Sequence, residues 1–195
     1  MLQRYHLTLI FDYFWHPTMK QVTIQNKTFG LFISAQEIDE SIKVIADRIN
    51  KRFQDSHPIF ISVLNGAFMF TSDLLKKIDV PCELSFVKLS SYDGISSSGS
   101  VKELVGLKED INNRHVIILE DIIDTGLTIS AIIAQLKTKE PATITIATLL
   151  LKPDCLKEKL HIDHIAFSIP DKFVVGYGLD LDGYGRNLSD IYQLI

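Results

Sequence analysis

Isoleucines at positions 38, 42, 45 and 49 recur every three or four residues, which predicts an amphipathic helix over 35–53. Ser34 followed by Glu37 has capping-box spacing and marks where that helix starts. Three other stretches are continuously apolar: IFISVL (59–64), HVIILE (115–120) and ATITIATLLL (142–151). Runs without polar alternation suit strands buried on both faces. Helical patterns separate them, in FMFTSDLLKKI (68–78) and around Ile129, Ile132, Ile133 and Leu136. VTIQNKTFGLFIS (22–34) reads as a hairpin-like lead-in, and CELSFVKL (82–89), HIAFSI (164–169) and FVVGYG (173–178) as further strands. The predicted fold is α/β, a mostly parallel twisted sheet flanked by helices. SSYDGISSSGS (90–100) is Ser- and Gly-rich, cannot bury enough to order itself, and reads as a mobile loop.

The chain has 195 residues, 46% hydrophobic and 23% charged, enough for one full core and short for two. Its net charge of −4 offers no footprint for nucleic acid, and no apolar run approaches the ~20 residues that span a bilayer. Cys82 and Cys155 have neither disulfide-framework nor metal-ligand spacing, so reduced thiols in a cytoplasmic protein are expected. Residues 1–18 precede the periodic sequence, which begins just after Met19. They are expected to be an upstream extension from a misassigned start codon, or a loosely attached arm, with the domain proper over 19–195.

The chemistry concentrates in VIILEDIIDTGLTI (116–129), where a buried strand runs into Glu120, Asp121 and Asp124. Ionised groups at the edge of a core are costly without compensation, so these acids either meet solvent in a loop or grip a polar ligand. Glu120 and Asp121, being adjacent, are expected on opposite faces of the strand. Asp124, Thr125 and Gly126 make the turn, and Thr128 opens the next helix. A helix mouth carries free N–H groups and partial positive charge and suits a phosphate. Anion cradle and acids side by side match a sugar phosphate, the phosphate on the loop and the hydroxyls on the carboxylates. The P-loop pattern is absent.

This string resembles the phosphoribosyl-diphosphate-binding signature of the type I phosphoribosyltransferases. VLNGAFMFTSDLL, LSSYDG, LLLKPD and IPDKFVVGYGLDLDGYGRNLSDIYQL are similar to the hypoxanthine-guanine, purine-salvage branch of that family, from about Val22 onward. The resemblance implies a sheet with a small hood built from the chain ends and a flexible lid. It implies transfer of phosphoribosyl from 5-phosphoribosyl 1-diphosphate to hypoxanthine or guanine, giving IMP or GMP and pyrophosphate, with Mg2+ as cofactor, in a cytoplasmic homodimer or homotetramer. Glu120 and Asp121 would bind the ribose hydroxyls and, with Asp180, serve magnesium. Asp124 would be the catalytic acid/base near purine N7, within a phosphoribosyl site completed by Thr125, Gly126, Leu127 and Thr128. Lys152 would reach the purine 6-oxo group, Phe173 would stack on the base, and Val174 and Asp180 would lie beside it. Arg186 and the backbone of Asn65 and Gly66 would hold pyrophosphate. The family loop there is known for a cis non-proline peptide, and many relatives carry Lys where this chain has Asn65. Ser91 and Tyr92 would sit on the lid. A non-catalytic sensor of nucleotide or phosphoribosyl diphosphate, and a transferase for another base, are the alternatives.

Overall fold

The computed structural model describes residues 20–92 and 101–195. The expectations for residues 1–18 and for the tip of the Ser/Gly-rich loop, 93–100, lie outside the described residues. The chain order is β1 (Gln21–Ile24), β2 (Lys27–Ile33), α1 (Ala35–Arg52), β3 (Ile59–Val63), α2 (Phe68–Leu75), β4 (Glu83–Tyr92), β5 (Val101–Val105), β6 (His115–Ile123), α3 (Leu127–Lys137), β7 (Thr143–Leu151), β8 (His164–Ser168), β9 (Val174–Val175) and β10 (Ile191–Leu194).

The capping box forms as the sequence predicts: Ser34 Oγ accepts from the Glu37 amide, and Glu37 Oε2 accepts from the Ser34 amide at 2.9 Å. The main sheet has the order β5-β4-β3-β6-β7-β8. Its five strands from β4 to β8 are parallel, and β5 closes one edge antiparallel to β4. Alternate residues along the buried strands feed two cores. Phe60, Ile117, Leu119 and Leu149 pack with α1 (Ile38, Ile42, Ile45, Ile49) and α2 (Phe70, Leu74). Ile59, Ile61, Val116 and Ile118 face the other way, onto Ile129, Ile132 and Leu136 of α3. Burying each such side chain contributes about 2 kcal/mol, so the helices are held by these stripes more than by propensity.

One feature differs from the sequence reading. β4 continues through Ser90 and Ser91 to Tyr92, because β5 supplies a ladder, with Ser91 opposite Lys102 and Tyr92 opposite Val101. A segment too polar to order itself is ordered there by a backbone partner. A separate four-stranded sheet of order β1-β2-β10-β9 joins the first and last described segments over Phe29, Val175 and Tyr192. Asp190 fastens it to the main body by accepting the Ala35 amide at the start of α1 (2.7 Å).

His164, opening β8, is only 7% exposed, and neither ring nitrogen has a hydrogen-bond partner. Burial holds its imidazole below the ordinary range; Asp163 opposes this, while Arg52 and Arg48 reinforce it. Above the unfolded value of about 6.5 the ring is neutral in both states and contributes no pH dependence. Below it the unfolded chain takes up a proton that the folded chain resists, so stability falls with pH. Thermal melts should show the wild-type midpoint dropping more steeply between pH 7 and pH 5 than that of His164→Leu; parallel profiles would contradict this.

Candidate active site

Apart from Ser91, Tyr92 and Leu127, the candidate residues line three cavities beyond the carboxyl ends of β3, β6 and β7, where open α/β sheets bind ligands. β6 runs two residues further than the acids, with Glu120 opposite Thr148 and Ile123 opposite Leu151, so Glu120 and Asp121 lie within the paired strand. Both acids nevertheless line the same two cavities, contrary to the opposite-face expectation. Strand alternation fixes where Cβ points, not where a flexible glutamate arm ends. Burial, with the Asp121 charge beside it, pushes the Glu120 carboxyl well above the usual carboxylate range. Burial also raises Asp121, although Glu120 and the Ile122 amide pull the other way. Among the described residues, the buried Glu120 Oε2 has no hydrogen-bond partner, as suits an acceptor for a ligand hydroxyl or a hydrated cation.

After Ile123 the chain turns through Asp124, Thr125 and Gly126 into α3. The helix starts at Leu127, one residue before the sequence reading, with Gly126 as N-cap at φ +81. The N-cap glycine has no side chain to cap this end; the Leu127 amide reaches the Thr125 hydroxyl only at 3.5 Å, and the first intrahelical bond runs from the Ser130 amide to the Gly126 carbonyl at 3.0 Å. A helix mouth of this kind suits an anion. From Glu120 to Ile129 these residues line one cavity, including Asp124, Thr125, Gly126 and Thr128. Half of Leu127 is exposed beside it. The segment after β7 buttresses this turn: the Lys157 amide donates to the Thr125 carbonyl (3.0 Å), and Leu156 and Leu160 press on Gly126.

A second cavity shares Glu120 and Asp121 with the first and is lined by Asn65, Gly66, Lys88, Asp180 and Arg186 among others. The Leu64–Asn65 peptide is cis. Arg186 Nη2 pairs with Asp180 Oδ1 at 2.6 Å, and Asp180 Oδ2 accepts the Gly183 amide at 2.6 Å. Lys88 went unassigned in the sequence. Its neighbours Leu84 and Phe86 are also exposed while Ser85 and Val87 are buried, so strand alternation was the signal that could have turned it to this side.

The third cavity joins Asp124, Lys152, Lys172, Phe173, Val174 and Asp180. Lys152 is not a solvated strand tip. It is buried at 7% exposure, and its Nζ donates to Asp171 Oδ1 (2.9 Å) and Asp124 Oδ2 (3.3 Å). Burial alone would lower its pKa; the two carboxylates outweigh that and raise it, so the ammonium stays charged. Asp171, also missed in the sequence, supplies the stronger contact. The Phe173 ring is 47% exposed and tilted against Phe29 with centroids 6.3 Å apart, leaving a face free for a planar ligand.

Residues 33–182 match the model of the phosphoribosyl transferase domain family. The chain is 42% identical over 171 residues to the hypoxanthine phosphoribosyltransferase of Buchnera aphidicola, covering 86% of this chain and 97% of that protein. The chain belongs to the phosphoribosyltransferase family. Within the family it is also 40% identical over 162 residues to the hypoxanthine-guanine phosphoribosyltransferase of Bacillus subtilis, covering 83% and 90% of the two chains. A crystal structure of a hypoxanthine-guanine phosphoribosyltransferase from Bacillus anthracis superposes with a TM-score of 0.77 at 32% identity, over 85% of this chain and 96% of that one. The parallel sheet flanked by helices is thus the phosphoribosyltransferase fold, and the activity class is that of an enzyme moving a pentosyl group. Among the described residues no helix is long and apolar enough to cross a membrane.

Proposed function

We propose that the protein is a purine-salvage enzyme that transfers phosphoribosyl from 5-phosphoribosyl 1-diphosphate to hypoxanthine or guanine, yielding IMP or GMP and pyrophosphate. The observation that carries this reading is the buried, carboxylate-held Lys152 ammonium beside the open ring of Phe173. A fixed cation favours a 6-oxo oxygen over the amino group of adenine, because an ammonium has donors only. The ring of Phe173 stacks on the base, and the Val174 backbone meets its edge.

The substrate's 5′-phosphate lies on the Thr125–Thr128 mouth, with the Thr125 and Thr128 hydroxyls and the Gly126 and Leu127 amides around it. The ribose hydroxyls donate to Glu120 and Asp121. Pyrophosphate lies between Arg186 and the Asn65–Gly66 backbone, with Lys88 supplying the cation that Asn65 does not. The bond from ribose C1 to the pyrophosphate oxygen breaks as the bond to the purine nitrogen forms, and Asp124 takes up the proton that the base gives up near N7. The backbone of Ser91 and Tyr92 leads toward the lid that keeps water from the reacting carbon.

Magnesium fits this site only in company with substrate. Among the described residues no three or more acidic, His or Cys side chains cluster to hold a metal alone. Mg2+ ordinarily binds through one or two carboxylates plus substrate oxygens and water, which Glu120, Asp121 and Asp180 can serve. When bound, it would offset charge growing on pyrophosphate.

We infer a cytoplasmic homodimer or homotetramer. Exposed Leu84 and Phe86 on one face of β4, with Phe68 at the start of α2, leave apolar surface that a second copy would cover. Sedimentation equilibrium reads this directly, and a monomer at micromolar concentration would remove it. The activity test mixes protein, magnesium and 5-phosphoribosyl 1-diphosphate with hypoxanthine, guanine, xanthine or adenine in turn. Nucleotide should form from the oxopurines. None from any base would leave a non-catalytic sensor, and adenine as the best substrate would overturn the role given to Lys152.

A further inference from the structure

Tyr177 stands outside the cleft, yet it touches both of the segments that build the pyrophosphate end. It sits between Gly176 and Gly178, and all three have positive φ (99, 49 and 97). Few non-glycine residues adopt that conformation, and here the surroundings hold it. The Tyr177 amide donates to the Leu188 carbonyl at 2.8 Å, the side chain is 4% exposed, and the hydroxyl donates to Asp73 Oδ2 at 2.6 Å.

Each end of that contact leads to a wall of the cleft. On one side, the Gly178 amide donates to the Arg186 carbonyl (2.9 Å), and Arg186 Nη1 donates back to the Gly178 carbonyl (2.6 Å). Gly178 lies so close to the opposite loop that a Cβ there would sit 2.0 Å from the Gly66 carbonyl oxygen. On the other side, Asp73 belongs to α2, the helix that follows Asn65, Gly66 and Ala67. Asp73 also accepts from Lys76 at 2.7 Å.

We propose that Tyr177 and Asp73 are positioning residues that lock the Arg186–Asp180 wall against the Gly66 wall, and so set affinity for the pyrophosphate half of the substrate. The inference rests on the phosphoribosyl-transfer reading and extends it to residues that touch no ligand. The ring alone would fill the same space as a phenylalanine. The hydroxyl adds only the tie to α2. Burial and the Asp73 carboxylate hold the phenol far above its ordinary range, so it remains a donor at any pH of interest.

The test titrates magnesium pyrophosphate calorimetrically into the full chain and into Tyr177→Phe, Asp73→Asn and Lys76→Ala, with steady-state kinetics alongside. Losing a hydrogen bond to a charged group should weaken pyrophosphate binding roughly tenfold in the first two variants and raise KM for 5-phosphoribosyl 1-diphosphate to match. Both kcat and KM for hypoxanthine should stay within about twofold of wild type. Lys76→Ala, which leaves the tyrosine contact in place, should bind pyrophosphate as wild type does.

Unchanged pyrophosphate affinity in Tyr177→Phe would overturn the proposal. So would a uniform loss of every parameter together with melting temperature, which is the mark of a fold-only role. If Asp73→Asn fails to fold, the one-atom change at Tyr177 decides alone. Wild-type protein that binds pyrophosphate but makes no nucleotide would strike the transferase reading, and the calorimetric comparison would still decide the lock.

Discussion

Replacing Asp124 with Asn should lower kcat by roughly 10²–10⁴-fold, the span usual for loss of a positioned acid/base. Affinity for 5-phosphoribosyl 1-diphosphate should stay nearly unchanged. The amide keeps the size of the side chain but loses its negative charge and with it the ability to take up a proton. Asp124 is suited to that task by position: it is half-exposed and lines both the Thr125–Thr128 loop cavity and the cavity of Lys152 and Phe173. The elements assigned to the 5′-phosphate, the Thr125–Thr128 amides and hydroxyls, do not depend on it. In the free protein the change touches the 3.3 Å approach of Lys152 and the contact with the Cys155 thiol, and Asp171 at 2.9 Å remains to hold that ammonium. Rapid-quench turnover and equilibrium binding separate the two effects. Equal losses in both would make Asp124 a binding residue.

Gly66→Ala should be nearly as damaging by a different route. A Cβ at this position would lie 1.5 Å from Asp121 Oδ2 and 2.4 Å from its Cγ, well inside any contact real atoms make. Either the loop retreats from the cleft or the Asp121 carboxyl swings away from Glu120. The first displaces the backbone proposed for pyrophosphate, and the second dismantles the ribose acceptors. A shift of about 1 Å in a reacting constellation costs on the order of 10²-fold, so kcat/KM should fall at least that far. Overpacking costs typically 1–3 kcal/mol, so the variant should still fold. A variant with wild-type kcat/KM would show that neither group is held as described.

The sequence exposed whatever depended on short-range pattern. The Ile38–Ile49 stripe, the Ser34–Glu37 cap and the apolar runs of β3, β6 and β7 each carry their own period, and all form as read. Glu120, Asp121, Asp124 and the Gly126 turn were legible because acids at the end of an apolar strand are costly without a purpose. What escaped was set by partners distant in sequence. Ser90–Tyr92 became strand because β5 lies alongside. Asp171, which holds the Lys152 ammonium, lies nineteen residues on and carried no signal of its own. That Glu120 and Asp121 line the same cavities depends on side-chain torsions that strand alternation does not fix. Tyr177 and Asp73 lie 104 residues apart and share no local motif.

The order of the small sheet, β1-β2-β10-β9, has a consequence for the making of the protein. The strand that bridges its two halves follows every other described element along the chain. While the polypeptide emerges from the ribosome, the main sheet can assemble, but Val174 and its neighbour Phe173 have no edge to lean on. Only when Ile191–Leu194 appears does Gln193 pair with both Gly30 and Val174 and draw the wall proposed for the base into place. Nascent chains should therefore be folded for some time before they are competent, with the last-arriving strand acting as the closing stitch.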